Sequence, residues 1–133
     1  MKKLKISRTQ KIKHANGSIT VYEKSKKINF SISRLFVVSA NKGAVRGKHA
    51  HKKCIQLLTC LNGSVEVNCE DVENKKKKFL LDNPSKYLII PKMVWCTQKY
   101  LKKNTILAVL CSQKYDGKDY IRSYSIFKKF QKK

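Results

Sequence analysis

The dipeptide Asn62-Gly63 stands between an apolar run at residues 54–61 and an alternating one, in which Val65, Val67 and Cys69 trade places with Glu66 and Asn68. Asn-Gly supplies the positive φ angles of a tight hairpin turn. Period-two alternation marks a strand with one buried face. A β-hairpin in the middle of the chain follows, and the same grammar repeats around it. Residues 19–22 and 34–38 are strand-like runs after turn signals at Asn16-Gly17 and at Lys24, Lys26 and Lys27. After a polar loop at 70–78 come 79–81, the turn Asp82-Asn83-Pro84, and further runs at 87–90, 93–97 and 105–111. Short strands at this spacing predict an all-β sandwich or small barrel. Tyr120, Tyr124 and Phe127 recur at helical spacing, with Ile121 beside them. They predict a short amphipathic helix over 119–130, packed on the sheets.

At 133 residues the chain suits one domain, 1–133, with a single core. No apolar stretch approaches the roughly 20 residues of a membrane span. The basic start, Met1-Lys2-Lys3-Leu4-Lys5, has no apolar segment behind it, so it does not read as a signal peptide. Cys54, Cys60, Cys69, Cys96 and Cys111 are odd in number and sit mostly in apolar strand patterns, as expected of buried, reduced thiols in a cytoplasmic protein. Residues 1–14 are open to three readings: a strand, an arm exchanged with a second copy, or a frayed end.

The formal net charge is +23. Such charge can mark a nucleic-acid binder, but the kind of charge argues otherwise. Arg8, Arg34, Arg46 and Arg122 are the only arginines; the other basic residues are lysines, spread over turns and ends without interleaved aromatic platforms. Solvated loop decoration is the expectation, with a field that draws in anionic small substrates.

Chemistry concentrates at His49 and His51. On a strand they face the same way, roughly 7 Å apart along the backbone, and imidazole is the side chain that titrates near neutrality. Gly43, the His-x-His pair, Gln56 and Gly63 fall at the spacing of the first motif of the cupin barrels. The second motif resembles residues 83–96. In both, a metal-ligand position is altered, to Gln56 and to Cys96. An amide is a poor ligand for a transition metal, so no metal and no cofactor are expected, although two histidines and the Cys96 thiol form a conceivable zinc set.

The resemblance sharpens beyond cupins in general. Asn16-Gly17-Ser18-Ile19, Arg46-Gly47-Lys48-His49-Ala50-His51-Lys52, Asn62-Gly63-Ser64-Val65, residues 89–95 and Asp119-Tyr120-Ile121-Arg122 together resemble the dTDP-sugar 3,4-ketoisomerases. That resemblance implies a cupin (a jelly-roll-like β-barrel or sandwich) with a short C-terminal helix. It also implies a homodimer, with an N-terminal strand that can be exchanged. The implied substrate is a dTDP-linked 4-keto-6-deoxyhexose, whose ketone moves from carbon 4 to carbon 3 by proton transfer through an enediol, with no redox cofactor. The product would feed biosynthesis of 3-amino-3,6-dideoxyhexoses for surface glycans. His51 is then the principal base and His49 the partner that shuttles protons. Arg46 contacts the diphosphate, Arg34 does likewise or holds a carboxylate, Gln56 bonds a sugar hydroxyl or a catalytic histidine, and Trp95 is a stacking candidate. Asp119 and Arg122 are expected to form a structural ion pair, and Lys48 and Lys52 to face solvent. Two rival classes are a metal-dependent cupin (a dioxygenase or sugar isomerase) and a non-catalytic basic nucleic-acid-binding module.

Overall fold

Gly63 has the positive φ of +83° that the Asn-Gly turn requires, and a Cβ there would lie 2.3 Å from Thr105 Oγ1. The turn and the buried Thr105 therefore need each other. The computed structural model describes residues 4–132. In chain order its elements are β1 (Ile6–Arg8), β2 (Lys11–His14), β3 (Gly17–Thr20), β4 (Arg34–Ala40), β5 (Val45–His51), β6 (Gln56–Asn62), β7 (Val65–Glu70), β8 (Lys76–Leu81), β9 (Lys86–Ile90), β10 (Trp95–Tyr100), β11 (Thr105–Cys111), β12 (Tyr120–Ile121) and α1 (Tyr124–Lys129).

Two five-stranded antiparallel sheets result, ordered β1-β9-β6-β11-β4 and β12-β5-β10-β7-β8. Alternation does the sorting. Leu58, Cys60, Leu88, Ile90, Leu107 and Val109 from the first sheet meet Val65, Val67, Cys69, Leu81, Cys96 and Tyr100 from the second in one core. This is the all-β sandwich that the patterning predicts. All five cysteines are free and buried, as expected. A second cluster covers the outer face of the first sheet, where Ile28 and Phe30 pack on Leu57 and Tyr87. A third covers the outer face of the second, where Phe127 of α1 packs with Ala50, Trp95 and Ile121.

Three expectations are corrected. Residues 119–130 are not one helix. Gly117–Asp119 forms a 3-10 turn, and Tyr120 and Ile121 pair with His51 and Ala50 as β12. Only then does Ser123 cap α1, its side chain accepting from Ile126 N. Ladder bonds at the exposed edge of β5 outcompete helical periodicity here, because they also bury Ile121. Lys76, Lys77 and Lys78 are not loop decoration but half of an edge strand, where Lys76 meets Glu70 at 3.9 Å and Lys78 meets Glu66 at 3.8 Å. Lysines on an edge strand discourage pairing with another chain. The strand expected at 19–22 belongs instead to a separate hairpin, β2–β3, which joins neither five-stranded sheet. β1 pairs with β9 of the same chain. Residues 1–3 of the expected N-terminal arm lie outside the described residues.

Candidate active site

The site begins with a bulge in β5. Cys96 of β10 is paired with His49 and Thr97 with Gly47, so Lys48 is an extra residue in the ladder. Gly47 has φ +83° and Lys48 φ +57°. One extra residue shifts the side-chain alternation by one step. Arg46, which strict alternation would place opposite His49, thereby joins His49 and His51 on the inner face. Lys48 and Lys52 are exposed, as expected.

His49, Arg46, Gly47, Arg34 and Gln56 line one pocket of about 200 Å³ together with Phe36, Val38, Gln98, Tyr120 and Arg122. Of the four sequence-nominated binding residues, the pocket gathers Arg34, Arg46 and Gln56. Trp95 is not among them. It lies on the opposite face of β10, buried against Tyr124 and Phe127 at ring-centroid distances of 5.3 and 5.7 Å. The groove it borders there, about 390 Å³, has its carboxylate Glu70 already held by Tyr124 and Gln131. Sequence reading missed Gln98, Phe36, Val38, Tyr120 and Arg122 as pocket residues. Arginine scarcity was the available signal, because three of the four arginines converge on this one pocket.

His51 lies deeper than His49. Their rings are 4.9 Å apart and nearly perpendicular, at 86°. His51 Nδ1 sits 2.9 Å from Asp119 Oδ2, and both side chains are 6% exposed. The expected Asp119–Arg122 ion pair is therefore corrected. The carboxylate turns inward to His51 and also accepts the backbone N–H groups of Lys53 and Cys54. Arg122 instead covers the ring of Tyr120, 4.0 Å from its centroid. Burial pushes the Asp119 carboxyl up, but the hydrogen bonds from His51, Lys53 and Cys54 outweigh it and hold it below the usual carboxylate range. An ionised Asp119 requires the His51 Nδ1 to carry hydrogen, which leaves Nε2 as the working nitrogen. That Nε2 is buried and has no hydrogen-bond partner.

His49 is tuned differently. Its Nδ1 is 2.9 Å from the Gly47 carbonyl oxygen, which can only accept, so Nδ1 carries the hydrogen here too. Burial, the nearby His51 and the Arg122 charge lower its pKa to about 4 against the supporting Gly47 bond. His49 is a neutral imidazole at physiological pH. Two imidazoles with free Nε2 atoms, one backed by a carboxylate and one kept neutral, can take and return protons on a bound ligand.

Among the described residues, the donor atoms that gather as a metal set would are those of His51, Cys54 and Asp119, all within 4.8 Å of one another. Asp119 Oδ2 accepts from His51 Nδ1 and from the backbone N–H of Cys54, while the Cys54 thiol accepts from Ser112 Oγ and donates to the Ile55 carbonyl oxygen. His49, His51 and Cys96 do not converge in this way. Cys96 points into the core beside Cys69.

Comparison with known proteins places this geometry. Residues 2–132 match the family model FdtA, described as WxcM-like, C-terminal. The chain belongs to that family. It is 39% identical over 127 residues to the TDP-4-oxo-6-deoxy-alpha-D-glucose-3,4-oxoisomerase of Aneurinibacillus thermoaerophilus, covering 95% of this chain and 91% of that protein. It superposes with TM-score 0.90 and 32% identity on the H51N mutant of the 3,4-ketoisomerase QdtA from Thermoanaerobacterium thermosaccharolyticum in complex with TDP-4-keto-6-deoxyglucose, covering 97% of this chain and 94% of that one. The dTDP-6-deoxy-D-glucose-3,5-epimerase RmlC of Legionella pneumophila shares the fold, at TM-score 0.79 and 18% identity over 91% of this chain and 72% of that one. The jelly-roll cupin architecture expected from the motifs is the observed one.

Proposed function

We propose that this FdtA-family protein is a TDP-sugar 3,4-ketoisomerase that moves the ketone of a dTDP-linked 4-keto-6-deoxyhexose from carbon 4 to carbon 3. The observation that carries the reading is the buried, unpartnered Nε2 of His51, oriented by Asp119 and set directly behind neutral His49 and Tyr120, which line an arginine-rich pocket. Arg34, Arg46 and Arg122 supply the positive charge and forked donors that suit a diphosphate. Gln56 and Gln98 offer amides for sugar hydroxyls. Trp95, buried on the other face of β10, has no part in this reading.

The reaction is a pair of proton transfers. His51 Nε2 removes the hydrogen on carbon 3 as a proton. The C–H electron pair forms a carbon 3–carbon 4 double bond, and the carbon 4 ketone oxygen takes the charge as an enediolate. The carbon 4 oxygen takes up a proton, the hydroxyl on carbon 3 gives up its own, carbon 4 gains a proton, and a ketone stands at carbon 3 beside a carbon 4 hydroxyl. Atoms and electrons balance within the sugar. Asp119 stabilises the imidazolium that forms on His51. His49, neutral with its Nε2 open, accepts and returns the oxygen-bound proton. General acid–base groups of this kind supply about 10²–10⁴-fold each.

The wider setting belongs to the same proposal. A 3-keto sugar is the substrate class of a transaminating enzyme, which fits synthesis of 3-amino-3,6-dideoxyhexoses for surface glycans. Reduced cysteines fit the cytoplasm. Leu35 and Val37 stand more than half exposed on the edge strand β4, at 62% and 53%. With the unsupported β2–β3 hairpin nearby in the chain, this apolar face suits a second copy, and we include a homodimer. The test is incubation of the purified protein with dTDP-4-keto-6-deoxyglucose in deuterated water, followed by NMR. Deuterium at carbon 4 of a 3-keto product is expected, and unchanged substrate would overturn the reading.

A further inference from the structure

We propose that Tyr120 is a third catalytic residue of this site, its hydroxyl holding the sugar oxygen on which negative charge gathers. The inference rests on the ketoisomerase reading and names a donor that reading lacks. In the reaction above, charge develops on the ketone oxygen at the moment carbon 3 loses its proton. An oxyanion in a partly enclosed pocket needs donors that are already in place. The histidines do not provide one at that stage. His51 must arrive as a free base, and His49 is neutral with its only N–H committed to the Gly47 carbonyl.

Tyr120 stands where such a donor is needed. Its ring centroid lies 4.3 Å from that of His51 and 5.1 Å from that of His49, and the residue lines the pocket. Its Oη accepts from Arg34 Nη1 at 3.4 Å, and among the described residues nothing accepts its own hydroxyl hydrogen. One guanidinium donates to the oxygen, and another, from Arg122, lies over the ring face. Both place positive charge beside the phenol, where an oxyanion held by its hydroxyl is also favoured. The backbone fixes the arrangement, because Tyr120 is the ladder partner of His51 in the β12–β5 pair. Base and donor are thus carried on one rung of two neighbouring strands.

Tyr120→Phe keeps the ring between Arg122 and His51 and removes only the hydroxyl. The expected result is a loss of about 10²–10³-fold in kcat, the usual effect of deleting one oxyanion donor, with KM, TDP affinity and the thermal midpoint close to those of the parent. Incorporating 3-fluorotyrosine at position 120, which returns a hydroxyl, restores turnover. A kcat loss smaller than about tenfold, or a parallel loss of TDP affinity, overturns the role of Tyr120 while leaving the ketoisomerase intact. A parent protein that binds TDP but leaves the sugar unchanged overturns both.

Discussion

His51 and His49 are the same residue type, two positions apart, and the fold gives them opposite tasks. The difference lies in what each Nδ1 meets: a carboxylate beneath His51 and a backbone carbonyl beside His49. A carboxylate stabilises the imidazolium, whereas the support of the Gly47 carbonyl is outweighed by the burial of His49 and its charged neighbours. His51→Asn removes the base and abolishes turnover, measurable by NMR of the sugar. Asp119→Asn leaves an amide whose NH₂ can face His51 Nδ1 and favour the wrong tautomer. We expect kcat to fall on the order of 10³-fold or more while TDP still binds, and equal turnover would contradict the dyad. The amide is also a weaker acceptor for the Lys53 and Cys54 N–H donors, so a modest loss in thermal midpoint accompanies it.

At the scale of elements, one bulge sets the register of the pocket. Lys48 bulges out of the ladder instead of taking a rung, which keeps Arg46 on the histidine face, and Gly47 makes room, since a Cβ there would lie 3.0 Å from the Cys96 carbonyl oxygen. Deleting Lys48 restores regular pairing and leaves Arg46 two rungs from His49, still on the histidine face. Calorimetric TDP affinity should then stay well above that of Arg46→Ala, and a drop to the Arg46→Ala level would contradict this reading of the register. Much of this fold is legible from sequence because its signals are local. Val65, Val67 and Cys69 alternate, Asn62-Gly63 turns, and 105–111 is apolar throughout. The histidine pair is legible for the same reason. Asp119 was not, because its partner lies 68 residues away and its spacing to Arg122 suggests a local ion pair. The Tyr120–Ile121 strand hid behind a true helical periodicity in which Phe127 does pack on the sheet, but three residues after the helix begins. Trp95 carried no mark of which face it would take.

For the whole molecule, acid is the informative stress. His49 has its pKa lowered to about 4 from an ordinary 6.5, so the unfolded chain binds its proton first. Its contribution to stability is complete above about 6.5 and declines as pH falls from there toward 4. Asp119, held below its ordinary 3.8, adds a further loss once pH falls through that lower range. Thermal midpoints should therefore fall below pH 6.5 in the parent, and less steeply in His49→Gln; identical slopes would contradict the buried, neutral imidazole. Light scattering should find two copies of the 15.4 kDa chain, and Leu35→Asp with Val37→Asp should yield monomers. In the proposed reaction this protein moves hydrogen with its own imidazoles. The deciding experiment follows deuterium uptake at carbon 4 of the sugar nucleotide in three samples: parent, chelator-treated parent and His51→Asn. Uptake that survives the chelator and vanishes with His51→Asn is the predicted result. Uptake that survives His51→Asn, or is lost to the chelator, contradicts it.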